Sequence, residues 1–196
     1  MTGLLSNGFQ QRLVPPPLSG WSFVQQEATQ LDFSFNRACM RRTNVNDNKT
    51  VLIRSCRTTY DVATMMLAFG VNVDAQYGIA LRQSSNNRLV LFYCYELGTG
   101  ERLISIDRWN TPTSFNTSLL QVPGAYGDPY LRITEGPTGL RRYFISNDGN
   151  RYHEILNEAS NAFVTVDGVG IVIGAESLGS PGSINVDVLH WTLALQ

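Results

Sequence analysis

Histidine chemistry has little to work with here: His153 and His190 are the only two histidines in 196 residues. His190 adjoins Trp191 in an apolar stretch and reads as a structural histidine. His153 follows the Asp148-Gly149 turn and reads as exposed. No G-x-S-x-G element supports a serine nucleophile, and no H-E-x-x-H, EF-hand loop or P-loop occurs. Cys39, Cys56 and Cys94 lack C-x-x-C spacing, matching neither a zinc site nor a small disulfide framework, and read as buried reduced thiols. Paired carboxylates for glycoside hydrolysis would share a strand face at i and i+2, where the rise is about 6.6–6.8 Å. None of the 16 acidic residues lie two apart, and the sole four-apart pair, Glu154 and Glu158, falls in a stretch (154–161) that reads as a helical turn or two. A cross-strand pair of Asp107 and Glu135 is the remaining route to an enzyme. The reading is therefore non-enzymatic, with no metal and no cofactor expected.

One set of residues suits sugar contact. Asp107, Trp109, Tyr130 and Arg132 fall on the outward faces of two alternating stretches, combining an aromatic platform with planar polar groups. They would form one site if their strands adjoin. The same residues also suit packing under the 110–128 loop or against another subunit.

The elements that must position them are strands. Hydrophobic residues make up 43% of the chain and charged residues 16%, the signature of a folded core and not of disorder. Basic and acidic residues nearly cancel, 15 against 16, with 14 arginines and the single Lys49, so no basic stripe for nucleic acid is present. No apolar run approaches 18 residues, which excludes a membrane span by helix, and the N-terminus carries no visible secretory leader. From Trp21 onward the hydrophobic period is mostly two, with β-branched and aromatic enrichment. About a dozen strands are expected, at 21–27, 31–35, 51–57, 62–70, 77–83, 88–96, 101–109, 130–135, 140–146, 152–156, 169–175 and 184–195. Ser84–Asn87, Gly98–Gly100 and Asn147–Asn150 read as hairpin turns, with Asp148-Gly149 suited to positive φ. The expectation is an all-β, two-sheet antiparallel sandwich of jelly-roll type.

Alternation assigns faces within the strands. Ile104 and Ile106 oppose Ser105, Asp107 and Trp109; Leu131 and Ile133 oppose Tyr130, Arg132 and Thr134. In the last strand Ile184, Val186 and Val188 are in phase, then Leu189, Trp191, Leu193 and Leu195, so a bulge is expected near Val188–Leu189. Along 168–174 the face of Gly168, Gly170, Val172 and Gly174 is smooth enough for a close neighbour.

Residues 1–20 differ from the remainder. The run Pro15-Pro16-Pro17 favours an extended conformation, and Leu4, Leu5, Phe9, Leu13 and Val14 are apolar anchors without a period. The chain divides into an extended N-terminal arm (1–20) and a β-sandwich domain (21–196). The arm's expected role is docking on a neighbouring subunit, with Arg12 adding an ion pair at the rim.

The order of segments also carries a resemblance. Gly20-Trp-Ser-Phe-Val-Gln-Gln26 is followed by Tyr77-Gly-Ile-Ala-Leu-Arg-Gln-Ser-Ser85 and Ile106-Asp-Arg-Trp-Asn-Thr-Pro-Thr-Ser-Phe115. Tyr130-Leu-Arg-Ile-Thr134, Phe144-Ile-Ser-Asn-Asp-Gly149 and Asp167-Gly-Val-Gly-Ile171 come next. In this order the segments resemble concanavalin A-like (laminin-G/jelly-roll) domains of bacteriophage virion and tail-associated proteins, over roughly residues 18–193. The resemblance implies a virion structural or accessory protein: a decoration, fibre or tail-associated adhesive module, assembled in the host cytoplasm. It further implies virion-protein partners, homo-oligomers and contact with host surface glycans. It supplies no catalytic motif. A carbohydrate-binding module is the alternative, followed by a glycan hydrolase.

Overall fold

Fourteen strands build two antiparallel seven-stranded sheets in the computed structural model, which describes residues 14, 16–17, 19–27, 29–34, 37–43, 46–56, 59–71, 73–124, 129–177 and 182–195. The first sheet runs β1 (Ser22–Gln25), β4 (Asn46–Ser55), β13 (Gly168–Ser177), β6 (Val73–Gln83), β7 (Arg88–Glu96), β8 (Arg102–Thr111), β9 (Ser114–Pro123). The second runs β12 (His153–Ala159), β11 (Leu140–Ser146), β10 (Tyr130–Glu135), β5 (Tyr60–Val71), β14 (Ser183–Leu195), β3 (Arg37–Arg42), β2 (Thr29–Ser34). The described residues contain no helix, and hence none long and apolar enough to cross a membrane.

The inward faces meet as the alternation requires. Ile104, Ile106, Phe92, Ile171 and Ile173 of the first sheet bury against Leu131, Ile133, Tyr143, Val186 and Val188 of the second. The Phe92 and Tyr143 rings, one from each sheet, meet edge to face at 5.6 Å. The expected bulge is present: β14 shifts register against β5 between Val188 and His190, so that Val188 and Trp191 both reach the core. All three turns join paired strands, with positive φ at Asn87, Gly100 and Gly149.

A buried ionic cluster closes one end of the sandwich. Arg141 on β11 is inaccessible to solvent and donates to Glu135 (2.9 Å), Glu158 (3.1 Å) and the carbonyls of Ser160 and Val164. Arg108 on β8 donates to the second Glu158 oxygen at 2.7 Å, so Glu158 ties the two sheets together.

Two strands escape the sequence reading, and one stretch differs from it. β3 and β9 were not among the expected strands, and 110–128 is no loop over most of its length: β9 occupies Ser114–Pro123. The strand expected at 152–156 is present as β12, which runs on through the helical turn expected from residue 154 and pairs with β11 through a bulge at Tyr143/Phe144. β9 and β12 are sheet edges, where half-exposed polar side chains hide the period of two.

Of the arm, Leu4, Leu5, Phe9, Arg12 and Leu13 lie outside the described residues. Val14 is occupied within its own chain: its N–H donates to His190 Nδ1 (3.2 Å), and its carbonyl accepts from Trp191 N–H (2.7 Å). Further along, the Trp21 indole N–H donates to the Pro17 carbonyl at 2.8 Å and the ring packs on Trp191 at 5.2 Å.

Candidate functional site

β7 gives the first sign of where a site lies. Its run Leu89-Val90-Leu91-Phe92-Tyr93-Cys94 is buried on both faces, although only one face meets the main core. A strand apolar on both faces needs cover on both. The second face belongs to a smaller cluster on the outside of the first sheet, containing Val51, Ile53, Ala80, Leu89, Leu91, Tyr93, Trp109 and Val172. Cover comes from curvature. β4 and β8 are four places apart in sheet order, about 19 Å in a flat sheet. Yet Lys49 Nζ of β4 stands 4.8 Å from the Trp109 ring centroid of β8, and Lys49 N–H donates to the Pro112 carbonyl at 2.9 Å. The sheet curls until its β8–β9 turn meets the start of β4.

The curl encloses a cleft of about 370 Å³. Its floor holds Tyr93, Asp107 and Trp109, and Phe115, Ser118 and Gln121 from β9 form one rim. Lys49, Gln76 and Glu176 form the opposite wall. Gly174 makes that wall possible: a Cβ there would stand 2.8 Å from Gln76 Oε1 and 3.0 Å from Lys49 Cδ. The smooth glycine face expected along β13 thus receives the Gln76 and Lys49 side chains at Gly174, and the β4 backbone at Gly170.

Glu176 is the polar hub of the wall. It accepts from Gln76 Nε2 (2.5 Å), Tyr95 O–H (2.9 Å) and Lys49 Nζ (3.4 Å). Asp107 accepts from the Tyr93 hydroxyl. Burial pushes the Asp107 carboxyl above the usual range, opposed by the Tyr93 and Ser118 hydroxyls and the Lys49 charge, and reinforced by Glu176. Tyr93 is raised in turn, by burial first and then by Asp107.

Three side-chain atoms of this cleft have no hydrogen-bond partner within the protein: Gln76 Oε1, Asp107 Oδ1 and Trp109 Nε1. Among the described residues only six buried side-chain polar atoms lack a partner, so half of them gather here. Each such atom costs about 1–3 kcal/mol when left unmet, and their concentration in one cleft marks the place where a polar ligand would be rewarded. Two are acceptors and one is a donor, a complement that hydroxyl groups satisfy because they both give and receive.

Of the expected sugar-contact set, Asp107 and Trp109 belong to this cleft, and Tyr130 and Arg132 do not. β8 and β10 lie in different sheets, so the four residues form no common site. Arg132 makes a two-pronged bond to Asp61 (2.8 and 2.5 Å) and lies over Tyr152 at 5.1 Å. Tyr130 is buried edge-on against His190 at 5.5 Å. Both belong to the packing of the second sheet's outer face. The Asp107–Glu135 pair is separated in the same way, with Glu135 held by Arg141 and by the Tyr60 hydroxyl at 3.1 Å. The carboxylate that does share the cleft with Asp107 is Glu176.

The exposed aromatic of the cleft is not the one the sequence reading named. Trp109 is only 6% exposed, with Lys49 over its ring, whereas Phe115 is 53% exposed and stands edge-on to Trp109 at 5.5 Å. Phe115 is the accessible aromatic of the cleft, and Trp109 packs against its ring. Among the described residues no group of three or more His, Cys, Asp or Glu is placed to hold a metal ion.

No family model matches the chain, and no curated protein matches it. Solved structures do share its fold. A functionally unknown protein from Saccharomyces cerevisiae superposes with a TM-score of 0.66 at 13% identity, covering 90% of this chain and 97% of that one. The GH43 BlXynB protein from Bacillus licheniformis gives 0.63 at 16% identity, with 90% of this chain matched to 37% of the longer one. Carbohydrate binding module CBM66 from Bacillus subtilis gives 0.58 at 6% identity, covering 89% and 95%. At these identities the likeness is one of fold: a concanavalin A-like jelly roll.

Proposed function

We propose that this domain is a non-catalytic carbohydrate-binding module whose ligand occupies the cleft on the outer face of the first sheet. The observation that carries the proposal is the set of unpaired atoms, Gln76 Oε1, Asp107 Oδ1 and Trp109 Nε1, behind an exposed Phe115. An aromatic face beside a few fixed polar groups is the usual make-up of such a site. Each unpaired atom is shielded from solvent in the free chain, so side chains of the cleft must shift for a ligand to reach them. The fold likeness to carbohydrate binding module CBM66, matched over 95% of that chain, supports the same reading. A glycan array probed with the full chain, followed by calorimetry on the best ligand, tests it; binding that survives Trp109→Ala in a folded variant would remove the cleft from the account.

A glycan hydrolase is the second reading, because Asp107 and Glu176 share the cleft. The binding reading is preferred because Glu176 is engaged by three donors, which among the described residues leaves Asp107 alone with an unengaged oxygen and no second carboxylate free to complete an acid–base pair. Reducing-sugar release that vanishes in Glu176→Gln would reverse this order. The virion setting rests on the ordered segments alone, and no structure named above is a virion protein. For it, we propose that the module serves as the glycan-contacting part of a phage particle, which mass spectrometry of purified particles would test.

A further inference from the structure

We infer that the cleft selects uncharged, hydroxyl-rich glycan residues and rejects their acidic counterparts, an inference that rests on the carbohydrate-binding reading and specifies its ligand. The charge inventory carries it. Among the described residues two carboxylates, Asp107 and Glu176, line the cleft against one cation, Lys49. That cation is buried and already committed, at 3.4 Å to Glu176 and 4.8 Å from the centre of the Trp109 ring. A third carboxylate, Asp74, stands behind the wall, 3.4 Å from the Tyr95 hydroxyl that serves Glu176. Among the described residues no arginine lines the cleft, although the chain has 14 of them. The fork that recognises carboxylate, sulfate or phosphate groups on a sugar is therefore missing from the site.

The unpaired atoms point the same way. Gln76 Oε1 and Asp107 Oδ1 are acceptors and need a hydrogen, whereas Trp109 Nε1 offers one. A neutral sugar residue presents several hydroxyls that can donate to the first two and accept from the third. Replacing a hydroxymethyl group by an ionised carboxyl removes a donor and sets like charges together where water is largely excluded. A site whose buried polar groups are left unmet discriminates far more strongly than an apolar pocket does. The uronate member of a matched pair should therefore bind at least tenfold more weakly.

The test is calorimetry on the full chain with matched probes: oligomannosides against oligomannuronates and oligogalactosides against oligogalacturonates, each at low and at 0.5 M salt. The expected result is at least tenfold tighter binding of the neutral member of one or more pairs, with the gap narrowing at high salt as repulsion is screened. Glu176→Gln should narrow it further by raising affinity for the acidic member severalfold. Equal or tighter binding of the uronates by the wild-type chain would overturn the charge inference and leave the carbohydrate reading standing. Binding of no member of either pair, together with a blank glycan array, would remove both. The salt series uses the wild-type protein alone, so it decides the matter even if Glu176→Gln fails to fold.

Discussion

Phe115→Ala separates binding from folding more cleanly than any other single change. A phenylalanine offers roughly 150–250 Å² to burial, and 53% of this one remains exposed, leaving about 100 Å² for a ligand to cover. A sugar ring lying on one face would cover about half of that, near 50 Å². At about 25 cal/mol per Å² this gives roughly 1.3 kcal/mol, or close to tenfold in Kd. The cost to folding is different in origin: it is the edge-on contact with Trp109 at 5.5 Å, about 1 kcal/mol, or some 2–4 °C in Tm for a chain of this size. Calorimetry with the tightest neutral oligosaccharide from the array, run beside thermal melts, measures both. Phe69→Ala is the control, since Phe69 is as exposed, at 55%, but lies on β5 of the second sheet and should leave Kd unchanged. A folded Phe115→Ala protein that binds within twofold of wild type would refute the assignment of Phe115 as platform.

Further outcomes follow from the geometry. Gly174→Ala should weaken glycan binding at least as much as Phe115→Ala, because the new methyl displaces Gln76 and Lys49; unchanged affinity and Tm would show the wall to be soft. Arg141→Met should cost about 3–5 kcal/mol, read as a lower urea midpoint, because Glu135 and Glu158 lose their buried counter-charge. Adding Glu135→Gln and Glu158→Gln should recover part of it, and a loss below about 1 kcal/mol in the single variant would contradict the cluster's role. Asp148 sits in the β11–β12 turn, where the backbone N–H groups of Arg151 and Asn150 and the Ser146 hydroxyl hold its pKa down at about 2. Its folded value lies below its unfolded one, so its contribution is complete above about pH 4 and is lost as pH falls toward 2. Asp148→Ala should flatten the stability profile in that window only. Burial raises Asp107, so its linkage has the opposite sign: its destabilising charge develops as pH rises.

Much of the fold was legible because a buried face enforces the period of two. The alternations in β8 and β10, the bulge after Val188 and the Asp148-Gly149 turn all appear as read. What period cannot supply is which sheet a strand joins. Asp107 and Tyr130 are both outward-facing, and their strands are separated by one edge strand in sequence, yet they face away from each other across the sandwich. The edge strand β9 was lost for a related reason. In β9, Ser114 through Ser118 are all exposed, so the pattern records solvent and not pairing, and Phe115 was read as part of a loop. Two signals for the site were present in the sequence. The unbroken apolar run of β7 required cover on its outer face, and the sole lysine, Lys49, was the residue that supplies cationic contact to Trp109.

The indole N–H resonances give the most direct test of the central claim, because the chain has three tryptophans in three distinct settings. Trp109 Nε1 has no protein partner at the cleft floor, Trp21 Nε1 is bonded to Pro17, and Trp191 is buried in the core. Titrating the ¹⁵N-labelled chain with a neutral oligosaccharide should move the Trp109 indole signal downfield in a saturable way as it gains an acceptor, while Trp21 and Trp191 stay in place. A saturating ligand that leaves Trp109 unmoved, or that moves residues around Arg132 and Tyr152 instead, would place the binding site on the other sheet and contradict the account.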